Sequence, residues 1–141
     1  MKKIVLLLLS TFLLASCFGG DFPQITMDEL GQRLQTEKDF ILLDVRTPEE
    51  FANGHIPGAI CIPNETIGQQ EITALPDKGQ RIYIYCRSGN RSKQAARKLI
   101  KLGYTNIVEA GGIRQWKGEV ITGDTPRRNS CGIEWKEEPK P

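Results

Sequence analysis

The chain has 141 residues, enough for one domain with a real core. Its composition, 39% hydrophobic and 26% charged, excludes a disordered chain. The formal charge of +2 falls to zero once Lys2 and Lys3 are assigned to a leader, leaving 17 basic against 17 acidic residues, so no global field draws the protein to nucleic acid and any attraction for anions is local.

Lys2-Lys3 and the nearly continuous apolar run 4–14 read as a secretory leader over residues 1–16. The run is too short for a spanning helix, which needs about 20 residues. It closes with Leu14-Ala15-Ser16-Cys17, which resembles the lipobox of bacterial lipoproteins. The resemblance implies cleavage before Cys17 and a diacylglycerol on its sulfur. The domain is then exported and lipid-anchored, facing the periplasm or the cell exterior. The alternative is an ordinary signal peptide with Cys17 incidental. Residue 18 is Phe, so the aspartate that retains some lipoproteins at the inner membrane is missing.

Residues 17–23 form a short tether, and Ile25 ends a first strand of a domain spanning 24–121. Thr26-Met27-Asp28-Glu29 is a capping box opening a helix through Leu30 and Leu34. The apolar run 40–45, broken only by Asp44, suits a buried parallel strand. Thr47-Pro48-Glu49-Glu50 is a second capping box, with proline at the first helical position of a short helix ending by Gly54. Residues 59–62 form a brief third strand, and 64–75 a helix with Gly68 inside it. A turn at Pro76-Asp77-Lys78-Gly79 precedes a fourth strand at 82–85. Residues 107–110 make a fifth, after which Gly111-Gly112 leads into a helical turn containing Trp116. The tail 122–141 is polar, but Cys131, Ile133 and Trp135 alternate within it and suit docking. Strands alternating with helices at this spacing predict an α/β fold, a parallel sheet with helices on both faces. Ligands bind such sheets beyond the carboxyl ends of the strands, where Asp44, Cys86 and Gly111 fall.

The stretch 81–102 organises the rest. Its apolar strand stops at Cys86, the loop Arg87-Ser88-Gly89-Asn90-Arg91 follows, and a helix begins in which Ala95, Ala96, Leu99 and Ile100 share a face. Lys93, Arg97, Lys98 and Lys101 lie elsewhere on the wheel and read as a solvated face, and Gly103 is the expected stop. The first-turn N–H groups lack intrahelical partners and favour negative charge. A cysteine there, flanked by Arg87 and Arg91, is expected to be thiolate near neutrality.

Cys61 and Cys131 remain. In an oxidising compartment they either bridge or stay apart, Cys61 as a core residue and Cys131 as a loose thiol. No C-x-x-C and no Cys/His cluster is present, so neither a metal nor another cofactor is expected.

Four segments together resemble the single-domain rhodanese family of sulfurtransferases: Asp44-Val45-Arg46 with Glu49, Glu50 and Phe51; Gly54-His55-Ile56-Pro57-Gly58-Ala59; Cys86-Arg87-Ser88-Gly89-Asn90-Arg91-Ser92; and Gly111-Gly112 with Trp116. The resemblance implies a five-stranded parallel sheet and a cysteine, here Cys86, that accepts sulfane sulfur as a persulfide. That sulfur passes from a small anionic donor such as thiosulfate or polysulfide to cyanide or a thiol. The chemistry suits the residues. A persulfide is an anion, N–H groups of Arg87, Ser88, Gly89, Asn90, Arg91 and Ser92 can cradle it as a nest, and Gly89 lets the backbone turn. Arg87 is the candidate donor-binding cation; Arg91 either joins it or pairs with a carboxylate. Asp44 is read as structural, bonding loop amides or an arginine in support of the site rather than carrying protons, with Arg46 in the same network. His55, in its Gly-His-Ile-Pro-Gly turn, suits a structural hydrogen bond better than a base, and Trp116 a lid on the core.

Two rivals differ in kind. Cysteine phosphatases and arsenate reductases place an arginine six positions after the cysteine, where this chain has Ser92. A membrane-tethered sulfur carrier or sensor would load once and deliver to one protein. A monomer is expected.

Overall fold

The computed structural model describes residues 22–123. Strands β1 (Phe40–Asp44), β2 (Ile60–Cys61), β3 (Arg81–Cys86) and β4 (Ile107–Gly112) form a parallel sheet in the order β2-β1-β3-β4. The predicted first strand shrinks to one parallel bridge, Gln24 to Glu109, on the free edge of β4. Two bonds hold it: Ile25 N donates to Glu109 O at 2.8 Å and Glu109 N to Pro23 O at 2.9 Å.

The helices are α1 (Met27–Thr36), α2 (Pro48–Ala52) and α3 (Asn90–Lys101). Both predicted capping boxes form: Glu29 closes on Thr26 and Glu50 on Thr47, each carboxylate accepting the cap residue's N–H. Alternation along β3 divides the core. Ile82, Ile84 and Cys86 face α3 through Ala95, Ala96 and Leu99, while Tyr83 and Tyr85 face α1 and α2 through Met27, Leu30 and Phe51. Gly103, at φ +93°, ends α3 as expected.

Several expectations change. Residues 64–75 are not a helix; isolated turns such as Thr66 N to Pro63 O and Leu75 N to Ile72 O replace it. Gly68 at φ +92° leaves helical space, and Asn64 N donates to Val45 O, holding the segment against the sheet. Ile67 and Leu75 then enter the core as separate plugs. Phe22 is buried, and Pro23 pairs with β4, so the fold includes two residues assigned to the tether. At the other end Ile121 bridges His55, and Gly123 N donates to Ala52 O. The supposed solvated face of α3 is partly engaged: Lys98 Nζ donates to Asn64 O at 2.6 Å, and Arg97 lies over the Phe22 ring. The last turn is a 3-10 helix, Ile113–Gln115, with Trp116 just beyond it. Trp116 packs on the core cluster of α1, with its ring against Gly31, as a lid.

The leader, Cys17 and the tail residues Cys131, Ile133 and Trp135 lie outside the described residues. No helix among the described residues is long and apolar enough to cross a membrane.

Candidate active site

Cys86 is the last residue of β3 and is 1% exposed. The chain turns sharply after it because Gly89, at φ +103°, caps α3 in a conformation that side-chain-bearing residues rarely adopt. The Gly89 N–H is thereby aimed at the sulfur, 3.0 Å away. Burial pushes the Cys86 thiol up, but the hydrogen bond shared with the Ser92 hydroxyl and those from the N–H groups of Ser92, Gly89 and Ser88 outweigh it. The net direction is down, toward thiolate. Of the six N–H groups expected to cradle a sulfur anion, those of Ser88, Gly89 and Ser92 act on it. The loop is supported from below by Gly112. A Cβ there would lie 2.4 Å from Arg87 O and 2.6 Å from Ser88 Cα, so only glycine admits this approach.

Arg87 and Ser88 are exposed, and the Arg87 side chain makes no hydrogen bond or ion pair with another described residue. Asn90 is exposed at the first position of α3. Arg91 is not free. Its guanidinium grips the Glu50 carboxylate in two bonds, 2.7 and 2.9 Å. Of the two readings left open for Arg91, the structure displays the carboxylate pair. Ser92 is fully buried beside the sulfur, its Oγ 3.5 Å from Cys86 Sγ.

Asp44 and Arg46 bond each other, the carboxylate accepting from the Arg46 backbone N–H as well as from its guanidinium. Asp44 is the register partner of Tyr85, on the face opposite Cys86. Its carboxylate accepts from Arg46 Nε and Nη2 at 2.9 and 2.6 Å, and Arg46 also donates to Gly54 O at 2.7 Å. None of these side-chain bonds reaches residues 86–92. The pair braces the end of β1 rather than the cradle, since two buried charges are satisfied best by each other. His55 is buried, stacked on Phe51 at 3.6 Å with Nδ1 2.9 Å from Phe51 O, the structural bond its turn suggested.

Sequence reasoning passed over Glu109. It is 2% exposed, and its Oε1 accepts from Ser92 Oγ at 2.5 Å and from Gly111 N at 2.8 Å. The signal was present: a carboxylate inside an otherwise apolar strand run. Glu109 pairs with Ile84 and Gly112 with Cys86, so a bulge lies between, and Glu109 faces α3 on the same side as the sulfur. Among the described residues no group of His, Cys, Asp and Glu is arranged to hold a metal ion.

A parallel α/β domain with a cysteine cradled between a central strand and the following helix defines a class of thiolate proteins. The family model for the rhodanese-like domain matches residues 26–119, and the chain belongs to that family. It is 40% identical over 72 residues to the thiosulfate sulfurtransferase PspE of Escherichia coli (strain K12), covering 51% of this chain and 69% of that one. It is 35% identical over 103 residues to the putative sulfur carrier protein YrkF of Bacillus subtilis (strain 168), covering 72% of this chain and 54%, about half, of that relative. The crystal structure of a rhodanese-like domain protein from Staphylococcus aureus matches with a TM-score of 0.63 at 35% identity, covering 72% of this chain and 98% of that one.

Proposed function

We propose that this protein is a sulfurtransferase that moves sulfane sulfur from an anionic donor, such as thiosulfate or polysulfide, to cyanide or a thiol through a persulfide on Cys86. The observation that carries the reading is the convergence of N–H donors on a lowered-pKa cysteine at the β3–α3 junction. The Cys86 thiolate attacks the outer sulfur of thiosulfate. A new S–S bond forms, the donor's S–S bond breaks, and sulfite leaves with its electron pair. Cyanide or a thiolate then attacks the terminal sulfur and regenerates the Cys86 thiolate. No general base is needed where the nucleophile is already ionised, and the preorganised amides hold the anion at little reorganisation cost. Arg87 is the cation available to the donor.

The test is the mass of Cys86 after incubation with thiosulfate. Wild type gains one sulfur and loses it to cyanide, and Cys86→Ser does neither while remaining folded. A wild type that takes sulfur from neither thiosulfate nor polysulfide ends this reading. The similarity to a putative sulfur carrier favours a second form of the same chemistry, in which Cys86 delivers to one partner protein. Slow turnover with cyanide and fast transfer to a partner thiol would distinguish it. A phosphatase reading is weakened because Arg91, already held by Glu50, is not offered to an oxyanion.

The lipobox-like Leu14-Ala15-Ser16-Cys17 supports export and lipidation at Cys17. Two acyl chains on one thioether satisfy the two-signal requirement for stable anchoring. An unmodified Cys17 in the mature protein, seen by mass spectrometry, rules this out.

A further inference from the structure

The sulfur-transfer scheme makes no use of Glu109, although this buried carboxylate stands two contacts from the nucleophile. The contacts run Cys86 Sγ to Ser92 Oγ at 3.5 Å and Ser92 Oγ to Glu109 Oε1 at 2.5 Å. A serine hydroxyl carries one hydrogen. Around Ser92 Oγ, Glu109 Oε1, Gly89 O at 2.9 Å, Gly111 O at 3.5 Å and the sulfur all compete for it. The carboxylate is both the nearest and the only full anion while the sulfur is protonated, and charge-assisted bonds are the strong ones. Glu109 is also held in place. Both its backbone groups are tied to residues 23–25, and Gly111 N shares its Oε1.

We propose that Glu109 is a positioning residue that governs the charge of Cys86 by claiming the Ser92 hydroxyl hydrogen. Two arrangements follow. With the hydrogen on the Glu109 side, a lone pair of Ser92 faces the sulfur and suits a thiol, whose S–H can donate to it. With the hydrogen turned to the sulfur, Ser92 supports a thiolate or persulfide. Passing between them rotates one C–O bond and breaks no covalent bond. Glu109 therefore restrains the thiolate that the loop amides promote, and disengaging its carboxylate releases the hydroxyl. Glu109 lines a recess of about 340 Å³ shared with Ser88 and Gly89.

Other charges surround the group. Lys93 of α3 and Glu29 of α1 line the same recess, Arg87 follows Cys86, Arg114 joins the loop through its amide, and Arg91 is held by Glu50. All are unchanged in the variants below, so they cancel in the comparison.

The experiment is the rate of Cys86 alkylation by iodoacetamide as a function of pH, with the site located by peptide mass spectrometry. Wild type, Glu109→Gln and Glu109→Asp are compared, each with and without Ser92→Ala. Glutamine removes the charge. Aspartate keeps it but is one methylene too short for the bond to Ser92. Both should move the alkylation midpoint down, giving about three- to tenfold faster modification below the wild-type midpoint, a shift of roughly half to one pH unit. In the Ser92→Ala background the Glu109 substitutions should make no difference. An unmoved midpoint in Glu109→Gln overturns the proposal. So does a shift with Gln but not Asp, or one that persists without Ser92, since either means that the charge acts directly through space. If Glu109→Gln fails to fold, the Asp variant with and without Ser92→Ala decides alone. The proposal rests on the sulfur-transfer reading only in taking Cys86 as the reactive thiol. Alkylation needs no sulfur donor, so a protein that shows these shifts yet takes up no sulfur sinks that reading and leaves this one standing.

Discussion

The Arg91 guanidinium closes on the Glu50 carboxylate across 41 residues of sequence, with N–O distances of 2.7 and 2.9 Å. The same carboxylate caps α2 by accepting from Thr47 N at 3.1 Å. The bonds from Arg91 come first among the causes that hold Glu50 down at about 2 from its ordinary 4.5, ahead of the opposing effect of burial. A carboxylate whose folded pKa is depressed stabilises fully above the unfolded value and loses that contribution as pH falls through the folded one. The Glu50–Arg91 contribution is therefore intact above pH 4.5 and gone below about 2. Glu50→Gln keeps the capping box, which glutamine also completes, and removes only the ion pair. The pair is partly exposed, so the expected loss at neutral pH is about 0.2–1 kcal/mol. Urea midpoints of wild type and variant should converge on acidification. A gap that stays constant with pH contradicts this account.

With Arg91 engaged, Arg87 is left to meet an anionic donor. Arg87→Ala should lower kcat/KM for thiosulfate by about ten- to a hundredfold, the range of a hydrogen bond to a charged group. A neutral persulfide donor should lose much less. Equal losses with both donors would mean that Arg87 shapes the loop rather than binding charge.

The two described cysteines should react very differently. Burial, and then the nearby Asp44 charge, push the Cys61 thiol up to about 12, while the Cys86 thiol is lowered. Thiolate is the reactive form. Iodoacetamide near neutrality should therefore label Cys86 well before Cys61, although Cys61 is the more exposed of the two. Preferential labelling of Cys61 in the folded protein would invalidate both assignments.

Gly112→Ala tests the floor of the cradle. All three atoms that a Cβ would strike belong to the backbone of Arg87 and Ser88, so no side chain can swing aside. The loop must move, and a misplacement of about 1 Å costs on the order of a hundredfold in rate. Sulfur uptake should fall by that order while the fold persists by circular dichroism. Uptake at wild-type rate would show that the loop tolerates the shift.

What the sequence disclosed was mostly local. The capping boxes at Thr26 and Thr47 depend on residues a few positions apart, and each formed as read, while in the loop after Cys86 the sulfur meets the N–H groups of Ser88, Gly89 and Ser92. The contacts that escaped notice span distance in the chain. Ser92 meets Glu109 17 residues on, through a bulge that no periodicity marks. Asp44 sits at a strand end as expected, but strand alternation places it back to back with Cys86 rather than beside it. The helix expected over 64–75 failed because its apolar residues are drawn singly into the core, and no local pattern records that pull.

Phe22 and the Cys86 cradle lie at opposite ends of the domain. Residues 23–25 run parallel to β4, and Phe22 lies in a recess with Ile100, Gly103 and Tyr104, at the finish of α3. The Cys86 cradle lies at the other end of that helix, 12 residues or about 18 Å away. A change at Phe22 can therefore reach the sulfur only through the length of α3 and the strands beside it.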